Sequence, residues 1–189
     1  MDKEMMEQGV KMFLEGLGLS LDDQHLKKTP ERVARAWGEE FGNGYQLTPK
    51  DVLTVEFSEP DSTDGLVIVR NIPFYSHCAH HLVMFDGVAN VGYLPKNGRI
   101  TGISKLARVV DMYAHRLQVQ ERLTFQVAKC LYEGLGARGV GVIMTAQHAC
   151  MTCRGVKKPG SETVTSTLLG EMQTDSQLRN EFLTLCSNR

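Results

Sequence analysis

Ser76-His77-Cys78-Ala79-His80-His81 puts one thiol and three imidazoles into six consecutive residues. A second, smaller cluster lies far downstream: His148-Ala149-Cys150, with Cys153 and Arg154 just beyond it. Cys and His are the usual zinc ligands, and a C-x-x-H spacing lets one turn present both to the same ion. A lone Cys is more often a buried apolar residue, and a lone His a surface one. Such density at two places instead points to two distant segments meeting around one metal ion.

Working outward, Leu66-Val67-Ile68-Val69 reads as a strand leading to the first cluster. Val83-Met84-Phe85 and the run from Val88 to Leu94 flank Asp86-Gly87, a dipeptide that tolerates positive φ and predicts a hairpin. Pro95-Lys96-Asn97-Gly98 predicts a further turn. Upstream, Leu53, Val55 and Phe57 alternate with polar residues as in a half-buried strand, and 59–65 is acidic and loop-like. Downstream, Leu106, Val109, Val110, Tyr113 and Leu117 make the apolar stripe of a helix starting at Ser104. Leu123, Val127, Leu131 and Leu135 make that of a second helix over 121–135, closed by Gly134 and Gly136. The short connection between them implies antiparallel neighbours. The apolar run 140–146 is a strand delivering His148 and Cys150, 163–169 is another, and 175–186 closes the chain as a helix.

The N-terminal part reads differently. Met6, Val10, Phe13 and Leu14 mark an amphipathic helix over 3–16. Thr29-Pro30 opens a second helix, with Val33, Ala36, Trp37 and Phe41 inward and Gly42-Asn43-Gly44 as its stop. Residues 1–48 are thus expected to be a helical appendage, and 49–189 the domain that carries the chemistry. The order of elements is that of an α+β fold, an antiparallel sheet with helices packed on one face. Its bare edges can be covered by joining sheets between subunits.

Composition narrows the function. The chain has 189 residues, 42% of them hydrophobic, and a net charge of -1. It can bury a core, and it has no global basic field for nucleic acid. An anionic ligand must be held by local cations. Lys105 and Arg108 share a helix face, and Arg154, Lys157 and Lys158 follow the second metal cluster. The five cysteines are odd in number, no secretory leader is visible and no apolar run approaches membrane-spanning length. The expectation is a soluble, reducing, cytoplasmic setting in which clustered thiols are ligands, with a Cys78–Cys150 disulfide as the alternative.

Cys78, His81 and Cys150 give three ligands, which leaves a place for water; Cys153 would close the site as a fourth. His80 and His148 are surplus imidazoles of the kind that shuttle protons near neutral pH, whereas His77 reads as an ordinary side chain. Glu121 at a helix start either complements the helix dipole or accepts paired hydrogen bonds from a guanine edge.

These residues carry a resemblance. Cys78-x-His80-His81, Gly102-Ile103-Ser104-Lys105-Leu106-Ala107-Arg108, Gln118-Val119-Gln120-Glu121-Arg122-Leu123, His148-x-Cys150-Met151-Thr152 and Arg154-Gly155-Val156 resemble, in order, the motifs of GTP cyclohydrolase I. The likeness runs from about Leu26 to the C-terminus. It implies the tunnelling fold, a homodecamer of two pentamers with sites between subunits, and zinc on Cys78, His81 and Cys150. It implies GTP as substrate, with a metal-activated water attacking C8 and 7,8-dihydroneopterin triphosphate and formate as products. On the same footing His148 would protonate N7, His80 would serve formamide hydrolysis, and Ser104 the later ribose rearrangement. Glu121, with Gln120 beside it, would anchor the guanine edge. Lys105, Arg108 and Arg154, joined by Arg35 from another subunit, would hold the triphosphate. Ala79 stands where the family usually has Glu, His77 where it usually has Met, and Ala149 and Cys153 where Met is common. Two other readings stay open: another tunnelling-fold enzyme acting on a pterin or deazapurine, and a non-catalytic assembly module with structural zinc on Cys78, His81, Cys150 and Cys153. The sequence points to no regulatory partner.

Overall fold

The computed structural model describes residues 1–59 and 65–187. Most of the loop expected over 59–65 lies outside the described residues. Helix α1 (Lys3–Gly16) is capped by Asp2, whose carboxylate accepts from the Met5 amide. Helix α2 (Thr29–Ala36) has Pro30 in its first turn and runs on into a π-helical turn, Trp37–Phe41, and a 3₁₀ turn, Asn43–Gln46. The strand expected around Leu53 to Phe57 is corrected. Thr48-Pro49 starts a short helix, α3 (Pro49–Val52), because the Asp51 carboxylate accepts from both the amide and the hydroxyl of Thr48. Only β1 (Glu56–Ser58) is extended, and it is exposed.

Strand β2 (Val67–Cys78) is far longer than the apolar run 66–69 that predicts it. Its alternation changes phase at a bulge between Val69 and Ile72, where Asn71 has φ 55°. Past the bulge Ile72, Phe74, Ser76 and Cys78 face the core. Strand β3 (Met84–Leu94) is continuous, so the hairpin expected at Asp86-Gly87 does not exist. Gly87 is there for a close approach: a Cβ on it would lie 2.0 Å from the Thr145 carbonyl oxygen. The reversal occurs instead between Cys78 and Met84, where Leu82 takes φ 57°.

Strand β4 (Arg99–Thr101) pairs with β1 after the expected turn at 95–98. Helix α4 (Ser104–Ala114) stops short of Leu117, which belongs instead to β5 (Leu117–Gln118). Helix α5 (Gln120–Leu135) ends on Gly136 in the left-handed conformation, as expected. Then come β6 (Gly139–His148), α6 (Ala149–Thr152), β7 (Thr163–Gly170), α7 (Glu171–Thr174) and α8 (Ser176–Ser187).

The main sheet has strand order β5-β2-β3-β6-β7, antiparallel throughout except for the two-residue parallel pairing of β5 on β2. One face is buried under α4 and α5, where Leu106, Val109, Val110, Leu123, Val127 and Leu131 are fully buried with Phe74, Phe85, Val91, Tyr93, Val142 and Met144. These are the two helices that the sequence reading put on one face. Helix α8 crosses the opposite one: Phe182 lies over the paired glycines Gly92 and Gly141, whose missing side chains make its seat. The Trp37–Phe41 turn docks on the same outer face at the other end of the strands, with ring centroids 4.6 and 4.8 Å from His77.

A Cβ at position 141 would sit 2.7 to 2.9 Å from three atoms of the Phe182 ring. Gly141→Ala should therefore cost about 1–3 kcal/mol through overpacking, read as a lower urea midpoint, and Phe182→Leu in the same chain should recover part of it. An unchanged midpoint would refute this seating of α8.

Candidate metal centre and active site

Both clusters leave from the same end of the sheet. Strands β2 and β6 flank β3 and are antiparallel to it, so their C-terminal ends lie together. Cys78 closes β2, and its amide donates to the Val83 carbonyl at 2.9 Å. The amides of His81 and Leu82 donate back to the Cys78 carbonyl at 3.3 and 2.8 Å, a tight turn that brings His81 above Cys78. On the other side β6 ends at His148, and the single turn of α6 carries Cys150.

The ligand atoms of Cys78, His81 and Cys150 lie within 4.8 Å of one another, and Cys78 Sγ is 3.9 Å from His81 Nδ1. Tetrahedral zinc with ligands at about 2.0–2.3 Å needs its donors roughly 3.3–3.8 Å apart. Two thiols and an imidazole at this spacing fit that ion with small adjustments. Burial and the neighbouring Cys78 thiol push the Cys150 thiol up, so this sulfur holds its proton until a cation replaces it. Cys153 is not brought into the group. It is exposed, and its thiol donates to the Ala149 carbonyl at 2.9 Å.

His80 Nδ1 lies 3.6 Å from Cys78 Sγ on the exposed side of the turn. Arg154 Nη1 is 3.0 Å from His81 Nε2. His148 stacks on Phe85, with centroids 4.5 Å apart and planes at 5°, and its Nε2 is 2.7 Å from Gln120 Oε1. Burial lowers the His148 pKa, and the charge of Glu121, exposed at the start of α5, works against that. Gln120 is itself buried, and its amide nitrogen donates to the Met144 and Thr163 carbonyls and the Thr165 hydroxyl. Both ends of its side chain thus meet protein.

The remaining candidates stand apart. Ser104 is exposed at the first position of α4, Lys105 donates to the Thr54 hydroxyl at 2.8 Å, and Arg108 is exposed near Asp111. Arg35 is exposed on α2, near Glu39. Among the described residues no hydrogen bond or ion pair joins these four to the metal group. The sequence reading missed Phe85 and Thr165. A strand phenylalanine and a strand threonine carry no sequence mark of service to a histidine.

His77 faces away from the ligands. Burial against Trp37 and Phe41, then the charge of His115, depress its pKa below the usual 6.5.

The chain matches the family pattern of GTP cyclohydrolase I over residues 6–187. It is 49% identical over 179 residues to a GTP cyclohydrolase 1 of Janthinobacterium sp. (strain Marseille), covering 95% of this chain and 89% of the relative. It is 46% identical over 188 residues to that of Caldanaerobacter subterraneus subsp. tengcongensis, covering 100% of this chain and 98% of the relative. Among solved structures, an archaeosine synthase QueF-Like protein in the apo form aligns with a TM-score of 0.48 at 18% identity, over 58% of this chain and 97% of that one; nothing is inferred from so loose a likeness.

Two outcomes are expected. Purified protein should carry about one zinc per chain, lost in Cys150→Ala and kept in Cys153→Ala by elemental analysis; loss in both variants would mean a closed four-ligand site. For His77, the folded pKa is the lower one, so as pH falls the unfolded chain takes up the proton first. Its contribution to stability is present above the usual 6.5 and is lost below it. His77→Met should flatten the fall in unfolding midpoint between about pH 7 and about pH 5, and an unaltered slope would count against this assignment.

Proposed function

The chain belongs to the GTP cyclohydrolase I family, and from that premise we propose that it opens the imidazole ring of GTP by hydrolysis, releases formate and forms 7,8-dihydroneopterin triphosphate. The observation that carries the reading to particular residues is the convergence of Cys78, His81 and Cys150 beside the clamped imidazole of His148.

Cys78, His81 and Cys150 would hold zinc, which when bound supplies Lewis acidity that makes water nucleophilic near neutral pH. His148 relays a proton to N7 of the purine as the ring opens. Its partly buried ring favours the neutral form, so it both gives and retakes a proton readily. His80, on the open side of the same turn, serves the later loss of formate. Glu121 accepts from the ring N–H and amino group of guanine, and its exposure at a helix start beside His148 suits that task. Lys105, Arg108 and Arg154 bind the triphosphate, and Ser104 assists the ribose rearrangement.

Lys105, Arg108, Ser104 and Arg35 stand apart from the metal group, which suits a site shared between chains. We therefore extend the reading to a homodecamer of two pentamers on the tunnelling fold. Arg35 would reach a neighbour's triphosphate, with residues 1–48 as a helical appendage to a catalytic domain of 49–189. No helix among the described residues is long and apolar enough to cross a membrane, and we place the enzyme in the cytoplasm, feeding pterin and folate or 7-deazaguanine synthesis.

The test is to incubate zinc-loaded protein with GTP, with and without chelator, and identify products by mass. Formate and a pterin triphosphate should appear and should vanish with the metal. His148→Ala should lower pterin formation by about 10²–10⁴-fold with zinc content unchanged. Unchanged turnover would remove His148 from this role, and no product from the unaltered protein would sink the activity itself.

A further inference from the structure

The polar chain behind His148 has only one consistent direction. Gln120 Nε2 faces two backbone carbonyls, of Met144 at 3.1 Å and Thr163 at 2.9 Å, and the Thr165 hydroxyl at 3.1 Å. Carbonyls only accept, so the amide nitrogen must lie on this side; turning the amide over would set oxygen against oxygen in a buried place. Gln120 Oε1 therefore faces His148, and being an acceptor it requires a proton on His148 Nε2, 2.7 Å away.

The hydroxyls agree with this. Thr124 donates to the Gln120 backbone carbonyl at 2.8 Å. Its one proton is then spent, so in the 2.6 Å contact between the two threonines Thr165 is the donor. That leaves a lone pair on Thr165 for the Gln120 amide. The run His148, Gln120, Thr165, Thr124 and back to the α5 backbone has every hydroxyl proton used once. Phe85, fully buried and nearly parallel to the imidazole, holds the ring face. Among the described residues nothing meets His148 Nδ1.

We propose that Gln120 is a positioning residue that fixes the Nε2–H tautomer of His148 and leaves Nδ1 as the atom that takes up the proton given off by the attacking water and passes it to purine N7, the ring returning to its neutral Nε2–H form. This rests on the reading of His148 as the proton donor to N7. It also removes Gln120 from the guanine edge, where Glu121 stands alone. A fixed tautomer matters because a ring free to turn would offer Nδ1 to the substrate for only part of the time.

The test has two arms. In the unaltered, zinc-loaded protein at mildly alkaline pH, ¹⁵N shifts of the His148 ring, assigned by difference from His148→Asn, should show Nε2 protonated and Nδ1 bare. The opposite tautomer would overturn the proposal, whether or not the protein acts on GTP. In the second arm Gln120→Met removes the acceptor, with folding and zinc content checked. Gln120→Met should lower kcat by about 10–100-fold with KM for GTP within about twofold. A risen KM with kcat preserved would return Gln120 to guanine binding and overturn the proposal. If the unaltered protein makes no pterin, the proposed activity falls, while the tautomer still decides the role of Gln120.

Discussion

The register between β3 and its two neighbours is the constraint on which the rest depends. His77 pairs with Met84 on one side of β3, and Phe85 with His148 on the other. Because β3 is antiparallel to both flanking strands, β2 and β6 must run the same way and end together. Ligands far apart in the chain are thereby brought together by the sheet. Side chains alternate with a period of two, so a slip of one residue would carry Phe85 and His148 to the opposite face and undo the stack. The register is secured by burial: Phe74, Phe85, Tyr93, Val142 and Met144 all vanish under α4 and α5, each side chain contributing about 1.5–3 kcal/mol. The stability of the core and the geometry of the site are one property.

Burial also sets the chemistry at the sheet end. It holds the Cys150 thiol up and the His148 imidazole down, so each favours its neutral form. For the thiol this makes a divalent cation the natural replacement for the proton. For the imidazole it is offset by Glu121, which stands at the mouth and favours the charged ring. In the proposed roles, a carboxylate that would receive a guanine edge and a histidine that would protonate the same purine are thus electrostatically linked: a guanine engaging Glu121 would change the support it lends to imidazolium.

The sequence exposes the ligand set more fully than the scaffold. Dense Cys and His spacing is rare enough to be read directly, and β6, which delivers the second cluster, stands near where periodicity puts it. The errors have physical causes. Asp86-Gly87 has the composition of a turn, but Gly87 serves the close approach of the Thr145 carbonyl, and spatial neighbours cannot be read from a dipeptide. The true reversal uses Leu82 at positive φ, an unfavourable choice that sequence rules place last; the Cys78 and His81 hydrogen bonds hold it there. The bulge at Asn71 breaks the alternation of β2 and hides its length. Gln120 and Glu121 look equivalent as polar neighbours, yet one points into the protein and the other outward, a difference that appears only when β7 and β6 are laid beside α5.

That difference separates two kinds of demand. Holding a triphosphate requires charge within reach, and the cations read from the sequence lie on exposed helix faces and beyond α6, on side chains long enough to adjust. Moving a proton requires an angle, because a hydrogen bond weakens steeply once donor and acceptor turn out of line. The imidazole proposed for that task is at a strand end, stacked on a buried ring and tied to a helix whose first turn is tied in turn to β7. Arg154 links the two sets, with its guanidinium against His81. A scaffold that spends buried hydrogen bonds on one imidazole, and leaves its cations to solvent, reserves its rigidity for the step in which direction counts.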